Sequence, residues 1–248
     1  MKIGIIGLGN LGRSLCSGLV RSGVSPDDII AYNRTASVCE AVHEKFGIDA
    51  SGDLCRTVAS SDVVFLVVKG YVYEELSERI PSEAYSGKTV ISFMAGVAPE
   101  RLEVLCPGAE IVVAMPTVSI ADCTGIVAYT RAPAPVAKLL QGLGYSFETS
   151  YDGVVKAAAY AACGLGFAAY LLGAYEDAGR SLGFSADDCS KITGMLFSTA
   201  LKRGDFGKIV SEVATKGGAT ERGVCHMDET GVPQAVADAV RLAYEKMA

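Results

Sequence analysis

The 248-residue chain is half apolar and carries 28 Asp and Glu against 22 Lys and Arg, a formal net charge of −6; that length can build one large domain or two modest ones with real cores. An acidic chain without a basic block is not expected to bind nucleic acid or an anionic membrane surface. Eight cysteines with no C-x-x-C pair, beside two histidines, give no metal-ligand spacing.

Residues 3–6 form a short apolar run that leads into Gly7-Leu8-Gly9-Asn10-Leu11-Gly12, and a helix pattern with Leu15, Leu19 and Val20 on one face follows. Strand, G-x-G-x-x-G, helix is the order in which the glycine motif means a dinucleotide site. Gly7 allows the tight turn, Gly9 lets a pyrophosphate approach the backbone, and Gly12 lets the helix pack on the strand. The first amides of the helix, around Asn10 and Leu11, then face the phosphates. The competing reading is a glycine-rich turn with no ligand. Lys2 ahead of apolar residues does not make a signal peptide, because the glycines and Asn10 interrupt the run and Arg13 follows. Cysteines scattered through apolar segments read as free thiols in a reducing cytoplasm.

Residues 28–32 predict a second strand, ending in Asn33-Arg34-Thr35. An acid at this place would hold the ribose 2′-hydroxyl of NAD, whereas a basic residue accommodates the 2′-phosphate of NADP. With no carboxylate and one guanidinium, NADPH is favoured and NADH left open; the alternative is that Arg34 is merely a solvated residue. A helix over 36–46 and a turn and short strand over 47–50 come next. Strands over 62–69, 89–93 and 110–114 then end in Val68-Lys69-Gly70, Met94-Ala95-Gly96 and Met115-Pro116-Thr117. Ligands of open α/β sheets bind outside strand carboxyl ends, so these ends should line one crevice with the glycine loop. Lys69 could equally be an ordinary solvent-facing lysine. Two more strands, 126–130 and 145–148, flank a helix over 133–143. The alternation predicts an α/β fold with an N-terminal Rossmann domain, a doubly wound and mostly parallel sheet, over residues 1–150.

Beyond residue 153 no strand is expected, and 151–248 is assigned to an all-α domain. Residues 157–175 carry no charge and are long enough to suggest a membrane span. Their alanine and glycine content points instead to a helix packed closely against others, between chains. Helix patterns cover 187–203, 206–213 and, from Pro233, the stretch to 247. Between them lies Thr215-Lys216-Gly217-Gly218-Ala219-Thr220. Paired glycines before a helical segment can expose amides as an anion nest; the equal alternative is a hinge with Thr220 as N-cap.

Taken together, residues 3–12 (IGIIGLGNLG), the strand ending in VVK, Phe93-Met94-Ala95-Gly96, residues 107–116 (PGAEIVVAMP), Glu176-Asp177-Ala178-Gly179 and Gly217-Gly218-Ala219-Thr220 resemble the pyrroline-5-carboxylate reductase family. The resemblance covers nearly the whole chain. It implies a Rossmann domain, a helical domain that interlocks two subunits as a homodimer with higher assembly open, and reduction of a small cyclic imino acid to L-proline by NAD(P)H. It implies that the amides of Gly218, Ala219 and Thr220 hold the substrate carboxylate with Gly217 and Lys216 beside them. The Thr220 hydroxyl would sit near the imine nitrogen as the catalytic group.

The departures concern the substrate more than the fold. Thr117-Val118-Ser119 stands where the family usually has Asn-Thr-Pro. Thr215-Lys216 replaces Ser-Pro, residues 163–167 (CGLGF) replace Ser-Gly-Ser-Gly-Pro, and Glu212 replaces an Asn. A reductase of another imine or of a carbonyl, for which Lys156 is the candidate acid, and a non-catalytic nucleotide-binding paralogue are the competing functions.

Overall fold

The computed structural model describes residues 1–247 and divides into two compact units, Met1–Ala162 together with Tyr244 and the residues after it, and Cys163–Ala243. The first unit therefore runs past residue 150 and includes the end of the final helix.

Its elements are β1 (Ile3–Ile6), α1 (Asn10–Arg21), β2 (Ile29–Tyr32), α2 (Ala36–Phe46), β3 (Asp49–Ser51), α3 (Leu54–Ala59), β4 (Val63–Leu66), α4 (Gly70–Ser77), β5 (Thr89–Ser92), α5 (Pro99–Leu105), β6 (Glu110–Pro116), β7 (Gly125–Tyr129), α6 (Ala134–Gln141), β8 (Gly144–Glu148) and α7 (Tyr151–Ala157). The eight strands form one sheet in the order β3-β2-β1-β4-β5-β6-β7-β8. Every pairing is parallel except β6 with β7, as the expected mostly parallel sheet requires. Ile3 sits beside Ile29 on one side and Val63 on the other. The strand order turns around at β1 and β4, and ligands of such sheets bind above that point.

Alternate strand residues serve opposite faces. Ile3, Ile5 and Phe65 pack with Leu15, Leu19 and Leu140, while Ile6, Val64 and Leu66 pack with Leu54, Tyr73, Leu102 and Val154. Coverage on both faces explains why these strands read as unbroken apolar runs. The strand expected over 62–69 is shorter. Val67 still donates its N–H to the Ile6 carbonyl at 2.8 Å, and then Val68 and Lys69 leave the sheet, with Lys69 as the N-cap of α4. Helices α3, α4 and α5, none of them foreseen, have six to eight residues and give too little periodicity to be read.

At the end of the first unit the helical backbone continues from α7 through a π turn at Ala158–Ala162 into α8 (Gly164–Ser181), the first helix of the second unit. Residues 151–181 thus exceed the helix expected over 157–175. The Ser150 Oγ starts it by accepting the Gly153 N–H at 3.1 Å, and Arg180 pairs with Glu176 and Asp177 near its end. This stretch is long and apolar enough, by length and composition, to cross a membrane. The rest is α9 (Ala186–Arg203), α10 (Phe206–Val213), α11 (Ala219–Glu229) and α12 (Val232–Met247), each close to its expected place except α11. Helices α8, α10, α11 and α12 bury no residue fully, and α9 buries only Cys189 and Thr193.

Candidate functional site

The carboxyl ends of β1, β2 and β4 enclose a crevice of about 580 Å³. Gly7, Gly9, Asn10 and Leu11 line it from the first loop, Asn33 and Arg34 from the second, and Val68 and Lys69 from the third. A second crevice of about 820 Å³ shares Val68, Lys69 and Phe93 and continues along Ala95 and Gly96. Met115 lies with Ala95, Gly96 and Tyr151 around a small neighbouring hollow. Five of the expected cofactor segments thus contribute to adjoining hollows over the sheet's carboxyl edge. Gly12, Thr35 and Pro116 line none of these: Gly12 packs under the loop, Thr35 precedes α2 as its N-cap, and Pro116 is the buried last residue of β6.

The glycines divide into those the fold needs and one that it does not. Gly7 has φ +105°, and a Cβ there would lie 2.5 Å from the Val67 carbonyl oxygen. A Cβ on Gly12 would lie 2.0 Å from the Gly7 carbonyl oxygen. At Gly9 a Cβ would meet nothing within 4 Å. That open space beside the first amides of α1 is where a diphosphate needs close backbone approach, so the residues fit a dinucleotide. Asn33 contributes through the loop itself, its Oδ1 accepting the Leu8 N–H at 3.3 Å. Arg13, which sequence reasoning passed over, braces the same loop by donating to Asn10 Oδ1 at 2.8 Å and to the Leu8 carbonyl at 3.4 Å.

Helix α4 adds what the sequence reading lacked. Tyr71 and Glu74 line the second crevice, and Glu75 and Arg79 the first. The signal was the i, i+3, i+4 spacing of residues 72, 75 and 76, which puts them on one helical face toward the first crevice, with Arg79 just beyond the helix end. The inner side of α4 is fixed by Tyr73, whose hydroxyl hydrogen-bonds Tyr85 and meets the Cys106 Sγ at 3.3 Å. Burial pushes the Cys106 thiol up to about 11, partly offset by its bonds to the tyrosines. It is a neutral packing group at ordinary pH.

In the second unit, α11 begins at Ala219 and its N-cap is Gly218. Thr220 is therefore inside the first turn, which corrects its reading as an N-cap. The physical reason is the preceding turn: the Gly218 N–H donates to the Thr215 carbonyl at 2.8 Å, and the helix follows at once. Gly217, at φ +77°, gives its N–H to Glu221 Oε2 at 2.6 Å. Ala219 and Thr220 lie in the first turn, where N–H groups have no intrahelical acceptor. The Lys216 side chain is exposed beside them.

The departures have structural work. Thr117 is buried, and its Oγ1 accepts the Ile126 N–H at 3.0 Å, stitching β6 to the start of β7. Val118 is exposed, and Ser119 takes the Thr124 N–H on its carbonyl. Glu212 forms an ion pair with Arg203, joining α10 to α9. Lys156 is engaged by Asp152 at 2.5 Å, and that carboxylate holds the lysine pKa above its ordinary value.

The family described as "NADP oxidoreductase coenzyme F420-dependent" matches residues 2–96, and that described as "Pyrroline-5-carboxylate reductase dimerisation" matches residues 153–248. The pyrroline-5-carboxylate reductase of Staphylococcus saprophyticus is 27% identical over 99% of this chain and 96% of its own length. That of Escherichia coli is 31% identical over 52% of this chain and 49% of its own length. Among solved structures, the Plasmodium falciparum pyrroline carboxylate reductase with NADP bound superposes with a TM-score of 0.88 at 19% identity, covering 100% of this chain and 97% of that one. A reductive aminase from Aspergillus terreus with NADPH4 gives 0.63 at 21% identity over 87% and 77%. At these identities the two superpositions speak for the fold.

Proposed function

Because the chain belongs to the pyrroline-5-carboxylate reductase family, we propose that it reduces 1-pyrroline-5-carboxylate to L-proline with NADPH. The observation that carries this is the pairing, in one chain, of a glycine-loop crevice left open at Gly9 with an amide-bearing loop at residues 217–220. Bound NADPH supplies the hydride that adds to the imine carbon, while the nitrogen takes or keeps a proton and becomes a secondary amine. A pyrroline nitrogen is basic, so the chain needs no strong acid. Its residues have to orient the ring and exclude water.

In this reading residues 7–11 hold the diphosphate, Arg34 the 2′-phosphate, and Lys69, Ala95, Gly96 and Met115 the nicotinamide half. The substrate carboxylate falls to the free amides of Ala219 and Thr220 with Lys216 alongside, and the Thr220 hydroxyl orients the nitrogen. Gly217 and Gly218 act by shaping the loop, their own N–H groups being engaged already. The working form is a homodimer through the helical unit, with larger assemblies open. Tyr170, Leu182, Met195 and Leu201 are each at least 70% exposed in the single chain, an extent of apolar surface that marks an interaction face. Burial in such a dimer, rather than a bilayer, accounts for the long apolar helix. Eight free cysteines suit the reducing cytoplasm.

Consumption of NADPH with 1-pyrroline-5-carboxylate, and appearance of proline, tests the reading. Turnover of another cyclic imine but not this one would relocate the substrate, as the spent hydroxyl of Thr117 allows. A nucleotide-induced melting shift with no turnover of any imine or 3-hydroxy acid would replace the enzyme by a nucleotide-binding protein.

A further inference from the structure

We propose that Arg79 is a second binding residue for the 2′-phosphate of NADPH, acting with Arg34 from a different wall of the same crevice. The inference rests on NADPH as the cofactor. Both arginines line the 580 Å³ cavity, and among the described residues neither is in an ion pair. By contrast Arg56, Arg101, Arg180, Arg203 and Arg241 each sit on a carboxylate, and Arg13 is committed to the glycine loop. Arg131 and Arg222 are likewise in no ion pair among the described residues but do not line this cavity; Arg34 and Arg79 are exposed and do line it, so they are placed to receive an anion there.

Their backbones are held in place. Arg79 follows the end of α4, between its N–H bond to the Leu76 carbonyl and the buried Ile80, and its own carbonyl accepts the Cys55 thiol at 3.2 Å. Asn33, just before Arg34, is tied to Ser51 and to Leu8. Helix α4 has eight residues, about 12 Å of rise, and it separates Lys69 at one end from Arg79 at the other. That spacing leaves Lys69 to the nicotinamide side and Arg79 to the adenosine side. Glu75 is the acid lining this cavity; two guanidiniums against one carboxylate leave the balance positive. A phosphate monoester carrying about −1.5 to −2 charges suits that balance, and guanidinium forks bind its oxygens in pairs.

The test compares affinities of NADPH, NADH, 2′,5′-ADP and 5′-AMP for the wild-type protein, Arg34→Ala, Arg79→Ala and Arg79→Lys, read by nucleotide fluorescence and calorimetry. Arg79→Ala should weaken NADPH and 2′,5′-ADP about tenfold, the size of one charge-assisted contact, and leave NADH and 5′-AMP within about twofold. Arg79→Lys should recover part of the loss. Equal weakening of NADPH and NADH would make Arg79 a packing or adenine-stacking residue and overturn the inference, as would unchanged 2′,5′-ADP binding. If the wild-type protein bound NADH as well as NADPH, the cofactor reading itself would fall, which is a distinct outcome.

Discussion

The chain has two glycine loops at helix N-termini, residues 7–12 before α1 and 217–220 before α11, and they are held by different means. The first is clamped by the sheet: added Cβ atoms on Gly7 and Gly12 would strike backbone oxygens at 2.5 and 2.0 Å. The second is held by its own turn, by the Thr215 carbonyl and by Glu221, while a Cβ on Gly217 would point into open space. A further contrast lies in charge. No acid stands in the first turn of α1, whereas Glu221 stands in that of α11. The first loop is rigid and open to an anion; the second already offers one N–H to a carboxylate of the chain.

The sharpest test of this contrast is Gly12→Ala against Gly217→Ala. A methyl group 2.0 Å from backbone must push α1 off β1, so Gly12→Ala should cost about 3 kcal/mol or more in thermal unfolding. Gly217→Ala meets only the strain of positive φ, on the order of 1 kcal/mol. Equal losses would mean that the loops are constrained alike. Gly9→Ala should divide the first loop internally. With no protein atom in its way it should leave the melting temperature unchanged and lower kcat/KM for NADPH about 10²-fold, the usual penalty for displacing a bound reactant by about an ångström.

The same contrast explains how far the sequence could be read. Residues 3–12 were legible because strand, turn and helix are adjacent and sterically forced, so local pattern and tertiary structure agree. The shorter β4 was not, because Val67 keeps one bond to Ile6 after the strand has ended, and an apolar run does not mark where pairing stops. Helix α4 escaped because it is two turns long with one fully buried residue, Tyr73, and with it went Glu75 and Arg79. The start of α11 escaped because two glycines and a threonine suggest a loop. Only the turn closed by Gly218 and Thr215 shows that Thr220 is helical. The apolar character of residues 157–175 was legible as composition, but what covers that helix was not, since alanine and glycine mark a surface suited to close packing without naming the partner.

Within the second loop, Thr220 is the group assigned to the imine nitrogen. Thr220→Val keeps the shape and removes the hydroxyl, and should lower kcat/KM with 1-pyrroline-5-carboxylate by one to two orders of magnitude, toward the low end of what a positioned acid contributes, about 10²–10⁴-fold. NADPH binding, measured directly, should not change. A wild-type rate would remove Thr220 from the chemistry and leave the amides alone to define the loop.

The smallest expected effect probes the charge difference between the loops. Glu221 stands three residues after the N-cap, the place from which an acid reaches back over a helix start, and its Oε2 takes the Gly217 N–H. A substrate carboxylate at the same loop would share the neighbourhood with that negative charge, and like charges within about 4–6 Å oppose each other. Glu221→Gln keeps an acceptor for Gly217 and removes the charge. It should lower KM for 1-pyrroline-5-carboxylate by about two- to fivefold, the scale of an exposed charge pair, with kcat unchanged. Its effect on 1-pyrroline, which has no carboxylate, should be nil, because there is no second charge to repel. A higher KM for both substrates would show instead that the charged bond to Gly217 shapes the loop, making Glu221 a clamp of the kind that Val67 and Gly7 provide at the other end of the chain.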